Sequence, residues 1–294
     1  NEHPDLVILI DYPGFNIRLA EKLKGKNTKI LYYILPQVWA WGKGRIEKMA
    51  YLTDAMASII PFEPEIFNKF GGNCTYIGHP LIHRIESYTF NHDLIKRLRN
   101  REGKNILILP GSRMNEIEKI FPVMVQTAEI INSKMQDEKV TFYISVAETI
   151  DKAEISKRLK GVNFKFKLFT ENLYEHLKSA DFAVVTSGTA TLETALFNLP
   201  MVLLYKTSGL TYSLAKLLVK VDNIGLVNII SGKKIVNEYI QSLDPSVIAD
   251  EIIQLIQAPE KLEAIKRELL KVQNKLGKKN ASENGAKMLI SMLG

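Results

Sequence analysis

Short apolar runs with no polar alternation, each followed by a stretch of helical period, constrain this chain more than any other feature. Residues 6–10 (Leu-Val-Ile-Leu-Ile), 105–109 (Asn-Ile-Leu-Ile-Leu), 182–185 (Phe-Ala-Val-Val) and 201–205 (Met-Val-Leu-Leu-Tyr) are of this kind. A strand with one face in water alternates polar and apolar side chains; one covered on both faces does not. These runs therefore predict strands of parallel sheets packed between helices. Further strands are expected at 29–35, 55–60, 74–77, 141–146 and 164–168, with helices at 15–24, 43–51 and 63–70. The turn Gly78-His79-Pro80 closes the first series, 87–101 reads as a linker with a polar helix, and the second series starts at Lys104. Strand–helix alternation implies right-handed crossovers, hence an α/β fold of two Rossmann-like domains with the active site in the cleft.

Two of the strand–helix turns carry recognisable chemistry. Thr186-Ser187-Gly188-Thr189-Ala190-Thr191-Leu192-Glu193 leaves one buried strand and enters a helix expected at 191–198. Backbone N–H groups of Ser187, Gly188, Thr189 and Ala190, backed by the helix dipole, are suited to phosphate oxygens. Glu193, placed in the first helical turn, repels phosphate; it either meets hydroxyls such as those of a ribose or only complements the dipole. Upstream, Pro110-Gly111-Ser112-Arg113 leaves the strand at 105–109, with Asn115 and Glu118 expected as N-cap and N3 of the next helix and Pro122 bending it. Arg113 is either a bidentate phosphate contact or a surface arginine. Phosphate plus ribose points to a nucleotide.

Other residues leave alternatives open. Asp11 ends the first strand, either as a functional carboxylate at the edge where open sheets bind ligands or as a cap of the following helix. Trp39 and Trp41 either pack domains together or wall a site for a sugar or acyl chain, with Gln37 as a polar contact. His79 is either structural or a donor contact. Residues 210–219, which include Tyr212, read as an apolar helix ringed by lysines, suited to a core, a membrane surface or a second subunit.

Composition excludes more than it selects. Cys74 is the sole cysteine among 294 residues, which rules out an internal disulfide and a cysteine zinc cluster. The net charge of +7 suits lysine-rich solvated faces, an anionic membrane surface or a phosphorylated substrate. No helix-turn-helix, zinc or RNP-type signature accompanies it, so no nucleic-acid partner is expected. No apolar run approaches the ~18 residues of a membrane span. Asp-x-Asp does not occur anywhere, and no metal or other cofactor is expected.

The segments Ile10-Asp-Tyr-Pro-Gly-Phe-Asn16, Leu35-Pro-Gln-Val-Trp-Ala-Trp41, Pro61-Phe-Glu63, Ile77-Gly-His-Pro80, Leu109-Pro-Gly-Ser-Arg113, Ser187-Gly-Thr-Ala-Thr-Leu-Glu193 and Leu210-Thr-Tyr212 occur in this order. Together they resemble the lipid-A-disaccharide synthases, GT-B glycosyltransferases of Gram-negative outer-membrane biogenesis. The Pro-Gln-Val-Trp-Ala-Trp run is the specific part; the two phosphate loops alone fit many UDP-sugar enzymes. The resemblance implies a first domain over residues 1–92, a UDP-sugar domain over 93–279, and a last helix, 280–294, crossing back to the first. It implies Asp11 as a catalytic carboxylate and Arg113, Ser187–Ala190, Glu193, Asn228, Glu238 and Gln241 at the nucleotide. Gln37, Trp39, Trp41, His79 and Tyr212 would line the acceptor side or the cleft. The reaction implied joins UDP-2,3-diacylglucosamine to 2,3-diacylglucosamine 1-phosphate at the cytoplasmic face of the inner membrane, in a self-associating protein.

Two departures from the family pattern stand out. A Gly-Glu-x-Ser-Gly-Asp turn and several tens of residues precede the Ile-Asp segment in the family; this sequence opens on Asn1, so an incomplete first domain is expected. The family's Asp-x-Pro-Asp-Phe-Asn has its second aspartate, a candidate base, replaced here by Gly14. The alternatives are another UDP-N-acetylglucosamine enzyme on this fold, either a 2-epimerase or the peptidoglycan N-acetylglucosaminyltransferase, or a truncated chain that binds nucleotide without turnover.

Overall fold

A computed structural model describes residues 3–41, 43–207 and 223–294. The chain divides into two compact units: residues 3–88 with 274–294, and residues 89–207 with 223–273.

The first unit is built on four parallel strands in the order β1-β2-β3-β4: β1 (Leu6–Ile10), β2 (Lys29–Tyr33), β3 (Ala55–Ser58) and β4 (Cys74–Tyr76). Between and after them run α1 (Pro13–Leu23), α2 (Val38–Trp41), α3 (Lys43–Leu52), α4 (Glu63–Asn68) and α5 (Pro80–Glu86). β2 and β3 are covered on both faces, whereas Ile8 and Ile10 on one face of β1 stay exposed. Ile30, Tyr32 and Met56 enter one cluster with Ile46, Met49 and Phe67, while the intervening Leu31, Ala55 and Ala57 enter another.

The second unit has six parallel strands in the order β7-β6-β5-β8-β9-β10. In chain order its elements are α6 (His92–Arg99), β5 (Lys104–Leu109), α7 (Met114–Lys134), β6 (Val140–Ser145), α8 (Lys152–Arg158), β7 (Phe166–Phe169) and α9 (Leu173–Ser179). These are followed by β8 (Phe182–Thr186), α10 (Thr189–Leu196), β9 (Met201–Tyr205), α11 (Leu226–Ser231), β10 (Glu238–Ile240), α12 (Pro245–Ile256) and α13 (Pro259–Leu276), whose residues from Asn274 on belong to the first unit. One face of the sheet packs Ile106, Phe142, Phe182 and Val202 against Phe121 and Met124 of α7 and Ile248 and Ile252 of α12. The chain builds outward from β5 to β7, then returns to the other side of β5 with β8. This reversal leaves a crevice at the carboxyl ends of β5 and β8.

The last helix, α14 (Ala281–Leu293), belongs to the first unit. Asn280 caps it by accepting the Glu283 N–H at 3.3 Å. Ala281, Met288, Leu289 and Met292 cover the sheet face that carries Leu31 and Ala57. Asn284 donates to the Ile77 carbonyl at 2.9 Å, and the Tyr76 hydroxyl donates to the Leu276 carbonyl at 2.7 Å. Gly78 lies at φ 106°, and a Cβ there would sit 2.4 Å from the Lys279 carbonyl oxygen. A side chain is excluded both by backbone conformation and by contact with main chain that cannot swing away. Gly78→Ala is expected to destabilise the protein by about 2 kcal/mol or more. Urea denaturation read by circular dichroism checks this; an unchanged midpoint would contradict the close approach of 279 to 78.

Candidate functional site

In the second unit, a cavity of about 420 Å³ opens at the carboxyl ends of β5, β6, β7 and β8. Gly111–Arg113, Ser145, Phe169 and Thr186–Ala190 line it together with Glu193. The two turns singled out in the sequence thus meet in one cavity, because parallel pairing delivers the loops after β5 and β8 side by side.

The β8–α10 turn presents donors. Gly188 is the N-cap of α10, and among the described residues no side chain caps it. The N–H groups of Thr189 and Ala190 lie in the first turn, where a helix has no carbonyls of its own to satisfy them. Ser187 is a correction to the sequence expectation: its N–H is spent on the Leu204 carbonyl at 2.9 Å, closing the sheet rather than facing the cavity. A Cβ on Gly188 would meet nothing within 4 Å, so the space before the helix is open. The Thr186 hydroxyl, buried at the end of β8, has no hydrogen-bond partner among the described residues. Glu193 sits on the second turn of α10, not the first, so complementing the helix dipole does not account for it. Its carboxylate lines the cavity and accepts from the Tyr174 hydroxyl at 3.2 Å.

The β5–α7 turn supplies the cation. Gly111 lies at φ 103°. Arg113, rather than Asn115, is the N-cap of α7, because the helix already begins at Met114. Its guanidinium is 78% exposed and pairs with Glu116 at 2.8 Å. Such a solvated pair is worth at most about 1 kcal/mol, so a phosphate can compete for the guanidinium. Pro122 lies inside α7.

Three residues nominated with the nucleotide do not line this cavity. Asn228 is fully buried; its amide donates to the Val236 carbonyl and to Glu238, and its oxygen accepts the N–H groups of Ile235 and Val236. Glu238 also accepts the N–H groups of Ile224 and Gly225. Gln241 pairs both amide atoms with the main chain of Thr207. Here these side chains shape the backbone around α11 and β10.

In the first unit, the nominated residues stand at the carboxyl edge of the four-stranded sheet. Asp11 and Tyr12, at φ 45° and 39°, are consecutive left-handed residues after β1, and Ile34, at φ 60°, is another after β2. Each costs about 1–3 kcal/mol and persists only where neighbours impose it. The imposing contacts are specific: Asn16 donates to the Ile10 and Asp11 carbonyls at 2.9 and 2.8 Å, and the Tyr32 hydroxyl to the Asp11 carbonyl at 2.6 Å. The Asp11 N–H points at the Tyr33 and Ile34 carbonyls. Burial, followed by the charge of Asp11, pushes the Tyr32 phenol up to about 12, so it remains a donor. Asp11 does not cap α1, since Tyr12 is the N-cap and no side chain bonds there. Its exposed carboxylate is left to face solvent.

Gln37 is exposed just ahead of α2. Trp39 is half-buried, stands edge-on to Phe62 at 5.0 Å and donates its indole N–H to Glu63 at 3.0 Å. His79 caps α5 by accepting the Leu81 N–H at 3.2 Å, and burial pushes its imidazole down to about 4. It is a neutral structural cap. Tyr212 and the rest of the apolar segment 210–219 lie outside the described residues, as does the Trp41 side chain.

Glu63, which the sequence showed only as the end of the Pro61-Phe-Glu63 segment and gave no role, is part of this edge as well. It is fully buried in the first turn of α4 and is held by Trp39 and by the Ser58 hydroxyl at 2.5 Å. Burial pushes its carboxyl up to about 7, against the pull of those hydrogen bonds. Cys74 is buried beside it and pushed up to about 12, which makes the thiol inert. Among the described residues, no three His, Cys, Asp or Glu side chains cluster as metal ligands, and no helix is long and apolar enough to cross a membrane.

Similar solved structures place this architecture. UDP-N-acetylglucosamine 2-epimerase from Neisseria meningitidis bound to UDP-GlcNAc superposes with a TM-score of 0.57 at 12% identity, covering 98% of this chain and 76% of that one. Anabaena Alr3699/HepE in complex with UDP-glucose gives 0.54 at 14%, covering 98% and 79%. The fold is GT-B, the two-sheet α/β fold of glycosyltransferases and related epimerases. Sequence then narrows the class: the family model described as lipid-A-disaccharide synthetase matches residues 1–291. Curated relatives named lipid-A-disaccharide synthase include those of Syntrophus aciditrophicus, 39% identical over 99% of this chain and 76% of the relative, and Nitrosococcus oceani, 36% over 99% and 75%. The chain belongs to the lipid-A-disaccharide synthase family and is a glycosyltransferase of lipid A biosynthesis.

Glu63 gives a pH signature. The folded carboxyl holds its proton up to about 7, whereas the unfolded chain releases it near 4.5. Between these values the native state binds more protons, so stability falls as pH rises through the window and is level above it. The full effect is roughly 3 kcal/mol. His79 and His176, both pushed down to about 4 by burial, act oppositely, removing stability as pH falls below about 6.5. Glu63→Gln isolates the carboxyl: its urea midpoint should gain on the wild type steadily from pH 4.5 to 7. A difference independent of pH would contradict a buried, proton-holding Glu63.

Proposed function

We propose that this chain condenses UDP-2,3-diacylglucosamine with 2,3-diacylglucosamine 1-phosphate, giving the β-1,6-linked disaccharide 1-phosphate and UDP. The observation that carries this reading, within the family, is the cavity at the β5/β8 reversal with its uncapped helix start. The donor diphosphate would lie against the N–H groups of Thr189 and Ala190, where the α10 dipole favours negative charge. Arg113 would turn from Glu116 to a phosphate oxygen, and the Thr186 hydroxyl would gain its missing partner. Glu193, beyond the first turn, would accept from ribose hydroxyls with Tyr174 fixing its orientation.

Displacement at the anomeric carbon proceeds with inversion. The acceptor 6-hydroxyl loses a proton as its oxygen forms the new C–O bond, and the bond to the UDP oxygen breaks with its electron pair leaving on phosphate. The helix start and Arg113 stabilise that developing charge. Asp11 is the candidate to take the proton. Its strained turn supports the assignment, because Asn16 and Tyr32 hold the main chain and leave the carboxylate unspent. Ile8, Ile10, Tyr12 and Phe15 are large apolar residues left exposed around it, at 42–70%. An apolar surface beside the carboxylate supports acylated sugars as substrates and contact with the cytoplasmic face of the inner membrane.

Calorimetric titration with UDP tests the nucleotide half. Arg113→Ala and Glu193→Ala should each weaken binding by about tenfold or more. Affinity unchanged in both variants would remove the nucleotide from this cavity. Asp11→Asn should leave UDP affinity intact and lower kcat by about 10²–10⁴ on acylated substrates. Equal turnover of non-acylated UDP-N-acetylglucosamine by the wild type would overturn the substrate assignment.

A further inference from the structure

Glu63 has a cost that packing does not explain. It is a fully buried carboxyl with no ion pair among the described residues: Oε1 accepts the Trp39 indole N–H, Oε2 lies 2.5 Å from the Ser58 hydroxyl, and the Ile60 main chain also bonds to the carboxyl. A buried carboxyl without a cation, whether desolvated as the ion or kept neutral by holding its proton, is costly relative to an apolar side chain of similar size. Ser58 is itself fixed, accepting the Ile60 N–H at 3.1 Å. The carboxyl group is therefore held from below by the end of β3, and its other oxygen is aimed at the indole. Trp39 is half-buried: one side packs against the core beneath the sheet and Phe62 meets it edge-on, so its exposed part is left to be oriented by the hydrogen bond. A directional hydrogen bond fixes the rotation of the ring about its side-chain bonds, which an apolar contact does not.

We propose that Glu63 is a positioning residue: its buried carboxyl group, through Oε1, locks the Trp39 indole in one orientation at the carboxyl edge of the four-stranded sheet, making a rigid wall for the acceptor sugar. The orientation stands on geometry; its consequence for the acceptor rests on the proposed transfer reaction. An indole already fixed costs the ligand no ordering entropy, so the effect falls on acceptor affinity more than on the chemical step.

The test uses the full chain carrying Trp41→Phe, in which Trp39 is the sole tryptophan. Glu63→Met, which keeps the length and removes the acceptor, should raise acrylamide quenching of Trp39 at least about twofold. Glu63→Gln, whose amide oxygen still accepts from the indole, should stay close to the parent. On acylated substrates, Glu63→Met should raise the acceptor KM about tenfold with kcat within about threefold. In protein retaining Trp41, Trp39→Phe should raise KM comparably, and adding Glu63→Met to it should change nothing further. Glu63→Leu replaces the Met variant if circular dichroism shows that variant unfolded. A folded Glu63→Met protein with parental quenching would overturn the proposal, and so would additive effects of the Glu63 and Trp39 substitutions on KM. If no disaccharide forms at all, the transfer reaction fails, while quenching still decides whether Glu63 holds the ring.

Discussion

Parallel strand pairing is the constraint on which the rest of this molecule depends. In a parallel sheet every strand ends at the same edge, so every loop that leaves a strand for its crossover helix gathers there. The cavity of the second unit is assembled in this way from segments far apart in sequence: Gly111–Arg113 after β5, Ser145 at the end of β6, Phe169 at the end of β7 and Thr186–Ala190 after β8. The same rule places Asp11, Gln37 and Trp39, Glu63 and His79 after β1, β2, β3 and β4. No single loop holds enough chemistry to be a site. The sheet makes them one.

The two edges use different physics. That of the second unit offers donors whose natural acceptors are missing, at the start of α10 and at the Thr186 hydroxyl. That of the first unit concentrates backbone strain. Asp11, Tyr12 and Ile34 all lie at positive φ, and Ile34 is β-branched, for which that conformation is rare. The strain is contained by Asn16 and Tyr32, whose side chains spend their hydrogen bonds on main-chain carbonyls of the turn. Such expenditure is wasteful for a loop that only connects and reasonable for one that must present a carboxylate in a fixed direction.

Much of the scaffold was legible in the sequence because burial on both faces leaves an unmistakable pattern. β1 and β9 lie where unbroken apolar runs predict them, and β8 extends its run by one residue, Thr186. β10 was missed: it is three residues long, half-exposed and begins with Glu238, so no apolar run announces it. Helix starts slipped where side-chain rules gave way to backbone geometry, as when Arg113 rather than Asn115 became the N-cap of α7. Asn228 and Gln241 show a different limit, since whether an amide faces a ligand or its own backbone is decided by three-dimensional neighbours. Glu63 shows the same limit reversed. One acid after Pro61-Phe62 looks like any helix start, and only the closure of the core around it turns it into a buried proton-holding group.

The position of α14 has a consequence for how the protein is made. One face of the first sheet, carrying Leu31, Ala55, Ala57 and Ile77, is covered by Ala281, Met288, Leu289 and Met292. On the ribosome those strands emerge long before their cover, with the whole of the second unit synthesised in between. The second unit can collapse as its own strands appear, whereas the first must wait with an apolar sheet face uncovered until the last helix is released. The nascent first unit is thus the segment most exposed to chaperones, and loss of this helix would reopen a sheet made more than two hundred residues earlier.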